Sequence, residues 1–144
     1  VLEQDFGVPA DVFSVTSFSE LRRDALAAER TAMLAPTDKP RKPWVSECLG
    51  GRAGPFVAAT DYMKVVADQI RQWVPGRYVA LGTDGFGRSD SRQQLREHFE
   101  VSRNWIVVAA LKALADEGKI DAASVALAIK KFGIDPVKPD PLLS

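Results

Sequence analysis

Cysteine and histidine are almost absent from the sequence: among 144 residues each occurs once, as Cys48 and His98. A single cysteine cannot form an internal disulfide, which is compatible with a reducing compartment, and we expect a cytoplasmic protein. The two residues cannot supply the clustered ligands of a zinc site. We therefore expect Cys48 to be an inert thiol, buried or half-buried, and His98 to be a partly exposed helix residue.

The sequence also lacks an excess of either charge, because 19 acidic side chains balance 19 basic ones. A nucleic-acid-binding protein would have a basic surplus, and an anionic membrane would not strongly attract a neutral chain. No apolar run reaches the roughly 18 residues that a membrane span needs, and the first residues lack the pattern of a signal peptide. We therefore expect a folded protein that binds neither nucleic acid nor membrane.

The length of 144 residues is that of one ordinary domain. Leu2 and Phe6 share one helical face, and Gly7 behind them is typical of a helix end. A helix that ends so early would begin before Val1, so we expect residues 1–144 to be a single domain cut from a longer chain. Residues 133–144 are interrupted by prolines and are expected to form an extended surface tail.

Strands and helices alternate along the sequence, which is typical of an α/β domain with a mostly parallel sheet. Three runs rich in β-branched or apolar residues are predicted to be strands: Ala10–Thr16, Pro55–Thr60 and residues 77–83. Short loops and predicted helices separate these strands. We therefore expect a layered fold with helices packed on the sheet.

Polar residues that cap helices begin most of the predicted helices. Two capping boxes, Ser17 with Glu20 and Ser91 with Gln94, fit the S-x-x-E/Q pattern. Aspartate is the predicted cap of two further helices, at Asp61 and Asp121. The predicted helices cover residues 17–34, 44–49, 61–73, 91–99 and 105–115, and a last helix buries Val125, Leu127, Ala128 and Phe132.

Three glycines stand in "LGTDGFGRSDSR", between the third predicted strand and the next capping box. Loops at the carboxyl ends of parallel strands are where α/β proteins bind ligands, so a self-contained anion- or nucleotide-binding module using Gly82–Asp90 is one hypothesis. The glycines lack the dinucleotide-binding spacing, and no P-loop lysine follows. The alternative is a structural turn in which Asp84 accepts backbone N–H groups and Phe86 is buried.

Three long stretches carry a resemblance to a known family: "SVTSFSELRRDALAAER", "AATDYMKVVADQIRQWVPGRY" and "LGTDGFGRSDSRQQLREHFEV". In this order they resemble the C-terminal domain of the homodimeric pyruvate dehydrogenase component of bacteria, within the transketolase-like thiamine-diphosphate enzymes. The motif Asp84, Gly85, Phe86, Gly87 is also similar to the equivalent turn of transketolases. The resemblance implies a three-layer α/β/α domain that helps to build the dimer, and it favours the structural turn.

The resemblance also implies what the whole enzyme does. It decarboxylates pyruvate with thiamine diphosphate and magnesium, and it acetylates the lipoyl group of a dihydrolipoyl acetyltransferase. In that superfamily the cofactor lies between two upstream domains. The family's Gly-Asp-Gly…Asn magnesium motif is not matched here, because Thr83 precedes Asp84 and the sole asparagine, Asn104, follows too closely.

The resemblance therefore implies no catalytic, cofactor-binding or metal-binding residue in this chain. The expected partners are the upstream domains of the same subunit, the second subunit of the homodimer and the acetyltransferase. The family's fold also has an upstream strand between the predicted strands Ala10–Thr16 and Pro55–Thr60. We therefore expect the sheet formed by these residues alone to be incomplete.

Overall fold

A computed structural model describes all residues from Val1 to Ser144. Two strands, β1 and β2, lie side by side in parallel, with Phe56 opposite Tyr78 and Ala59 opposite Leu81. The α/β class with a parallel sheet is confirmed, although the sheet has two strands rather than three. In chain order the elements are α1 (Leu2–Phe6), α2 (Phe18–Leu34), α3 (Trp44–Leu49), β1 (Phe56–Ala59), α4 (Lys64–Asp68), a 3₁₀ turn (Arg71–Trp73), β2 (Tyr78–Leu81), α5 (Arg92–His98), α6 (Arg103–Asp116) and α7 (Ala122–Lys131).

The segment Ala10–Thr16 forms no strand, so this prediction is wrong. Val12 is 94% exposed, and Phe13 and Val15 are also exposed. β-branched and aromatic residues favour strands because they fit a pleated, half-buried surface. The segment pairs with neither strand of the sheet, so its residues join no hydrogen-bonded ladder.

Predicted caps begin three of the helices. In each, a side-chain oxygen accepts a backbone N–H of the first turn, as N-caps do. The pairs are Ser17 Oγ with Glu20 N at 3.2 Å, Ser91 Oγ with Gln94 N at 3.3 Å, and Asp121 Oδ1 with Ala123 N at 2.8 Å. These three predictions are confirmed because each depends only on neighbouring residues.

The prediction of a fourth cap, at Asp61, is wrong, since the Asp61 side chain accepts no hydrogen bond from the first turn of α4. The N–H of Lys64, which begins α4, donates to Asp84 Oδ1 at 2.9 Å, across 20 residues. Asp61 forms an ion pair with Arg96 instead, at 3.1 Å. A tertiary contact has replaced the local cap.

Two separate clusters of apolar side chains form the core. The larger joins α2, α3, the 3₁₀ turn and β2, and contains Ala25, Val45, Ile70, Trp73, Val74 and Tyr78. Within it the Tyr78 hydroxyl donates to the carbonyl of Ala67 at 2.8 Å, and burial raises the pKa of Tyr78 to about 12. The side chain therefore stays a neutral donor.

The smaller cluster joins α6 and α7 through Val107, Leu111, Val125 and Ala128, with α1 packed against it. Leu127, predicted to face inward, is 58% exposed, because α7 turns only the side that carries its neighbours Val125 and Ala128 toward α6. None of the helices has the length and apolar character that crossing a bilayer demands.

Residues 133–144 contain no helix or strand. The Lys138 ammonium donates to the carbonyl of His98 at 2.8 Å and to Glu100 Oε1 at 3.0 Å. Glu100 has φ of 61°, a conformation that costs energy for a residue with a Cβ. Pro141 is buried, so this last segment is anchored at two points.

Candidate functional site

The turn after β2 is held against the segment that follows β1. The N–H of Thr83 donates to the carbonyl of Tyr62, and the N–H of Lys64 donates to Asp84 Oδ1, both at 2.9 Å. The Thr83 hydroxyl also donates to the carbonyl of Asp61 at 2.9 Å. These bonds join the carboxyl ends of the two parallel strands.

The first two glycines of the turn are required by close contacts, whereas the third is not. A Cβ on Gly82 would lie 2.5 Å from the Lys64 nitrogen, and a Cβ on Gly85 would lie 2.2 Å from the Pro141 carbonyl oxygen. Gly85 also has φ of +109°, which side chains disfavour. Gly87 has no atom within 4 Å of such a Cβ.

The prediction for Asp84 is confirmed, because its carboxylate accepts a backbone N–H from a neighbouring segment. The prediction that Phe86 is buried is wrong, since its side chain is 80% exposed. The backbone of Pro141 occupies the space beside Gly85, and residues 85–90 are exposed. Only the first half of the glycine stretch is therefore packed.

A cavity of about 470 Å³ lies beside this turn, at the carboxyl edge of the sheet. Asp61 after β1 and the two glycines after β2, Gly85 and Gly87, contribute to its wall. Three arginines and two aspartates carry the charge of its lining: Arg88, Arg92, Arg96, Asp61 and Asp90. Carboxyl edges of parallel sheets commonly hold ligands, so this cavity, the arginine cavity, is the strongest candidate site.

The charges of the arginine cavity are only partly paired within the chain. Arg96 donates to both carboxylate oxygens of Asp61, at 3.1 and 3.3 Å, and Arg92 lies 4.0 Å from the same carboxylate. Arg88 forms no ion pair or side-chain hydrogen bond. The Arg96 Nε is buried without a hydrogen-bond partner.

A second cavity, of about 630 Å³, lies between α5, α6 and the segment after α7. His98 lines it, and its Nε2 atom is buried without a partner. Burial, together with the nearby charges of Arg88 and Lys138, lowers the pKa of His98 below its usual range. The imidazole is therefore neutral at pH 7, and no carboxylate orients it as in a catalytic triad.

The other residues considered from the sequence do not assemble into a site. Cys48 is half-buried, as predicted. No group of three or more histidine, cysteine, aspartate or glutamate side chains is placed to hold a metal ion. Asp84 already accepts the Lys64 N–H, and Asn104 lies in the first turn of α6. These residues do not fit a magnesium-diphosphate site.

The sequence reasoning missed the three arginines of the arginine cavity. Arginines at 88, 92 and 96 are spaced four residues apart. This spacing predicts that the two helical ones, Arg92 and Arg96, lie on one face of α5, since residues i and i+4 share a helix face. Asp61, which gathers two of them, is 31 residues or more away in the sequence. Local patterns do not reveal such a contact.

Comparisons with known proteins give a consistent result. The sequence model of the transketolase-like TK C-terminal domain family matches residues 1–102. The chain is 62% identical over 143 residues to the "Pyruvate dehydrogenase E1 component" of Pseudomonas aeruginosa, covering 99% of this chain and 16% of that protein. It is 52% identical to the protein of the same name from Escherichia coli K12, covering all of this chain and again 16% of the relative. The chain thus spans about one sixth of the length of these relatives.

Proposed function

Because the chain belongs to the transketolase-like C-terminal domain family, we propose that it is the C-terminal assembly domain of a pyruvate dehydrogenase E1 component. In this proposal residues 1–144 form one domain of a longer, cytoplasmic subunit. The whole enzyme decarboxylates pyruvate with thiamine diphosphate and magnesium and acetylates the lipoyl group of an acetyltransferase. The cofactor binds in upstream domains, and this domain packs against them and against the second subunit.

The observation that carries the assembly role is the large surface of the chain. Its accessible area is 9591 Å², whereas a monomeric protein of 15.7 kDa is expected to expose about 7,300 Å². The difference, about 2,300 Å², is comparable to one side of a large permanent interface. A surface of this size favours a domain that is covered by other parts of an assembly.

The exposed apolar side chains support the same role. Several large apolar side chains are mostly exposed although they belong to helices. They include Met33, Leu34, Trp44, Val65 and Leu127. Large exposed apolar patches mark interaction surfaces in soluble proteins. Only 19 of the 144 residues are buried, so the chain by itself buries little of its apolar surface.

The proposal assigns no catalytic residue to this chain. Decarboxylation of a 2-oxo acid needs an electron sink that a cofactor supplies, while the protein binds and orients the reactants. The acids and bases described above are engaged in structural contacts, as Asp84 is with Lys64, or stand alone, as His98 does. The whole enzyme would depend on this domain for its assembly.

Deleting residues 1–144 from the whole enzyme tests the proposal. We expect sedimentation velocity to show loss of the dimer, and pyruvate oxidation with an artificial electron acceptor to fall in proportion to that loss. Calorimetric titration of thiamine diphosphate and magnesium into the 144-residue chain should give no saturable heat. A truncated enzyme that assembles fully but no longer decarboxylates pyruvate would contradict the proposal.

A point variant separates chemistry from assembly. His98→Gln replaces the only histidine of the chain with a neutral side chain of similar reach. We expect the whole enzyme to keep its kcat for pyruvate and its dimer. A large loss of kcat in a variant that remains dimeric would show that the domain takes part in the chemistry.

A further inference from the structure

We propose that the arginine cavity binds a phosphate group, held by Arg88, Arg96 and the backbone N–H groups that follow Gly85. The proposed ligand is a free phosphate ion or a phosphate monoester. This inference does not rest on the proposed function, because it is argued from the charges and unpaired donors of the cavity alone.

The side chains of the cavity carry a positive charge that the chain does not neutralise. Three arginines face two aspartates in the lining. Asp61 is already shared between Arg92 and Arg96, and Asp90 accepts the N–H of Ser91 at 2.6 Å. Arg88 is left without any carboxylate partner, so the cavity retains a guanidinium with all of its donors free.

A second set of unpaired donors comes from the backbone. No N–H group between Gly85 and Asp90 donates a hydrogen bond within the chain. Gly85 and Gly87 both line the cavity, and at Gly87, where a Cβ would meet no atom within 4 Å, the missing side chain lets a ligand approach the backbone closely. Successive backbone N–H groups with no acceptor are a common element of anion-binding loops.

The buried Nε of Arg96 also calls for an acceptor. Asp61 is bound by the Nη2 atom of this guanidinium and not by its Nε, and an unsatisfied buried N–H is costly. Buried polar groups in native proteins are almost always paired with protein, water or ligand. An acceptor oxygen that enters the cavity would satisfy this buried N–H.

These donors match a phosphate better than a carboxylate. A phosphate group presents several oxygen acceptors in a tetrahedral array, and arginine binds it through two parallel hydrogen bonds. Guanidinium groups and backbone N–H groups of the lining can then engage different oxygens. The volume of about 470 Å³ leaves room for the organic part of a small monoester.

Calorimetric titration of the whole protein tests the proposal. Inorganic phosphate and glycerol 3-phosphate are the two probes, at low ionic strength, where exposed charges are least screened. Thiamine diphosphate and magnesium are present at saturation, so that any diphosphate site elsewhere is filled. We expect saturable binding with one site per chain. Equal affinities would identify free phosphate as the ligand, and tighter binding of the ester would identify an organic phosphate.

Variants locate the site. Arg88→Gln should weaken phosphate binding by about tenfold, since a charge-assisted hydrogen bond is lost, and Arg88→Lys should recover part of it. Arg30→Gln is the matched control, because it removes the same charge from the exposed face of α2, away from the cavity, and should leave the affinity unchanged. A crystal soaked in phosphate should show the ion between Arg88 and the loop.

Three results would overturn the proposal. They are an absence of saturable binding by the unmodified protein, an equal affinity for Arg88→Gln and Arg30→Gln, and a phosphate ion bound elsewhere in the crystal. Pyruvate oxidation is measured separately, so failure of the phosphate site and failure of the assembly role give different results.

Discussion

Replacing Gly82 with alanine should strongly destabilise the chain. The new Cβ would lie 2.5 Å from the Lys64 nitrogen and 2.6 Å from the Tyr62 carbonyl oxygen. Both are backbone atoms, so the segment after β1 must move away by nearly 1 Å to reach an ordinary contact. That movement breaks the bonds from Thr83 to Tyr62 and from Lys64 to Asp84.

The magnitude for Gly82→Ala follows from these two effects. Each lost hydrogen bond costs about 0.5–1.5 kcal/mol, and overpacking adds about 1–3 kcal/mol. We therefore expect a loss of about 2–6 kcal/mol in the free energy of unfolding, measured by urea denaturation. In a chain of this size a loss of 3 kcal/mol lowers Tm by roughly 10 °C.

A matched control lies within the same stretch. Gly87→Ala adds the same methyl group where no atom lies within 4 Å, and should change the stability by less than about 0.5 kcal/mol. Gly85→Ala should behave like Gly82→Ala, because its Cβ would meet the Pro141 carbonyl oxygen at 2.2 Å. Equal stabilities of Gly82→Ala and Gly87→Ala would refute the argument that the first half of the turn is packed tightly against the segment after β1.

Three further variants test other contacts, with urea denaturation as the measurement in each case. Phe86→Ser should cost less than about 0.5 kcal/mol, since the ring is 80% exposed; a cost of several kcal/mol would mean that the ring is buried. Asp24→Ala should cost about 1 kcal/mol at pH 7, because Oδ2 accepts the N–H of Trp44 at 2.7 Å and thereby lowers the pKa of Asp24. The difference from the unmodified chain should shrink as the pH falls below 3.8 and through the folded-state pKa. For His98 the folded-state pKa lies below the usual 6.5. As the pH falls, the unfolded chain therefore binds the proton before the folded chain does. The free energy of unfolding declines as the pH drops from 6.5 toward the folded-state pKa. His98→Gln should remove this decline, and an unchanged pH dependence would contradict the assignment.

Sequence patterns predicted the features that depend on neighbouring residues. The caps at Ser17, Ser91 and Asp121 join atoms two or three residues apart, so the pattern of residue types is sufficient to find them. The same logic failed at Asp61, because the N–H of Lys64 is bound by Asp84 from a different loop. A cap supplied over 20 residues is a property of the tertiary structure.

Two further failures also come from contacts that are distant in the sequence. The segment Ala10–Thr16 has the composition of a strand, but a strand forms only where a partner supplies hydrogen bonds, and the segment pairs with neither strand of the sheet. Phe86 was predicted to be buried as part of a structural turn between a strand and a helix cap. The backbone of Pro141, more than 50 residues later, fills the space beside Gly85 and leaves the ring outside.

The roles of structural turn and phosphate-binding loop are therefore compatible in the glycine stretch, because its two halves have different environments. From Gly82 to Asp84 the backbone and side chains are bound to the segment after β1, which fixes where the stretch begins. From Gly85 to Asp90 the N–H groups have no acceptor in the chain, and the arginine cavity lies beside them. A loop that binds an anion tightly must hold its donors in place before the ligand arrives, because ordering them on binding costs free energy. The first half, which is hydrogen-bonded to the segment after β1, supplies that rigidity to the second half, whose N–H groups are unbonded. The structural role and the binding role therefore support each other in one turn.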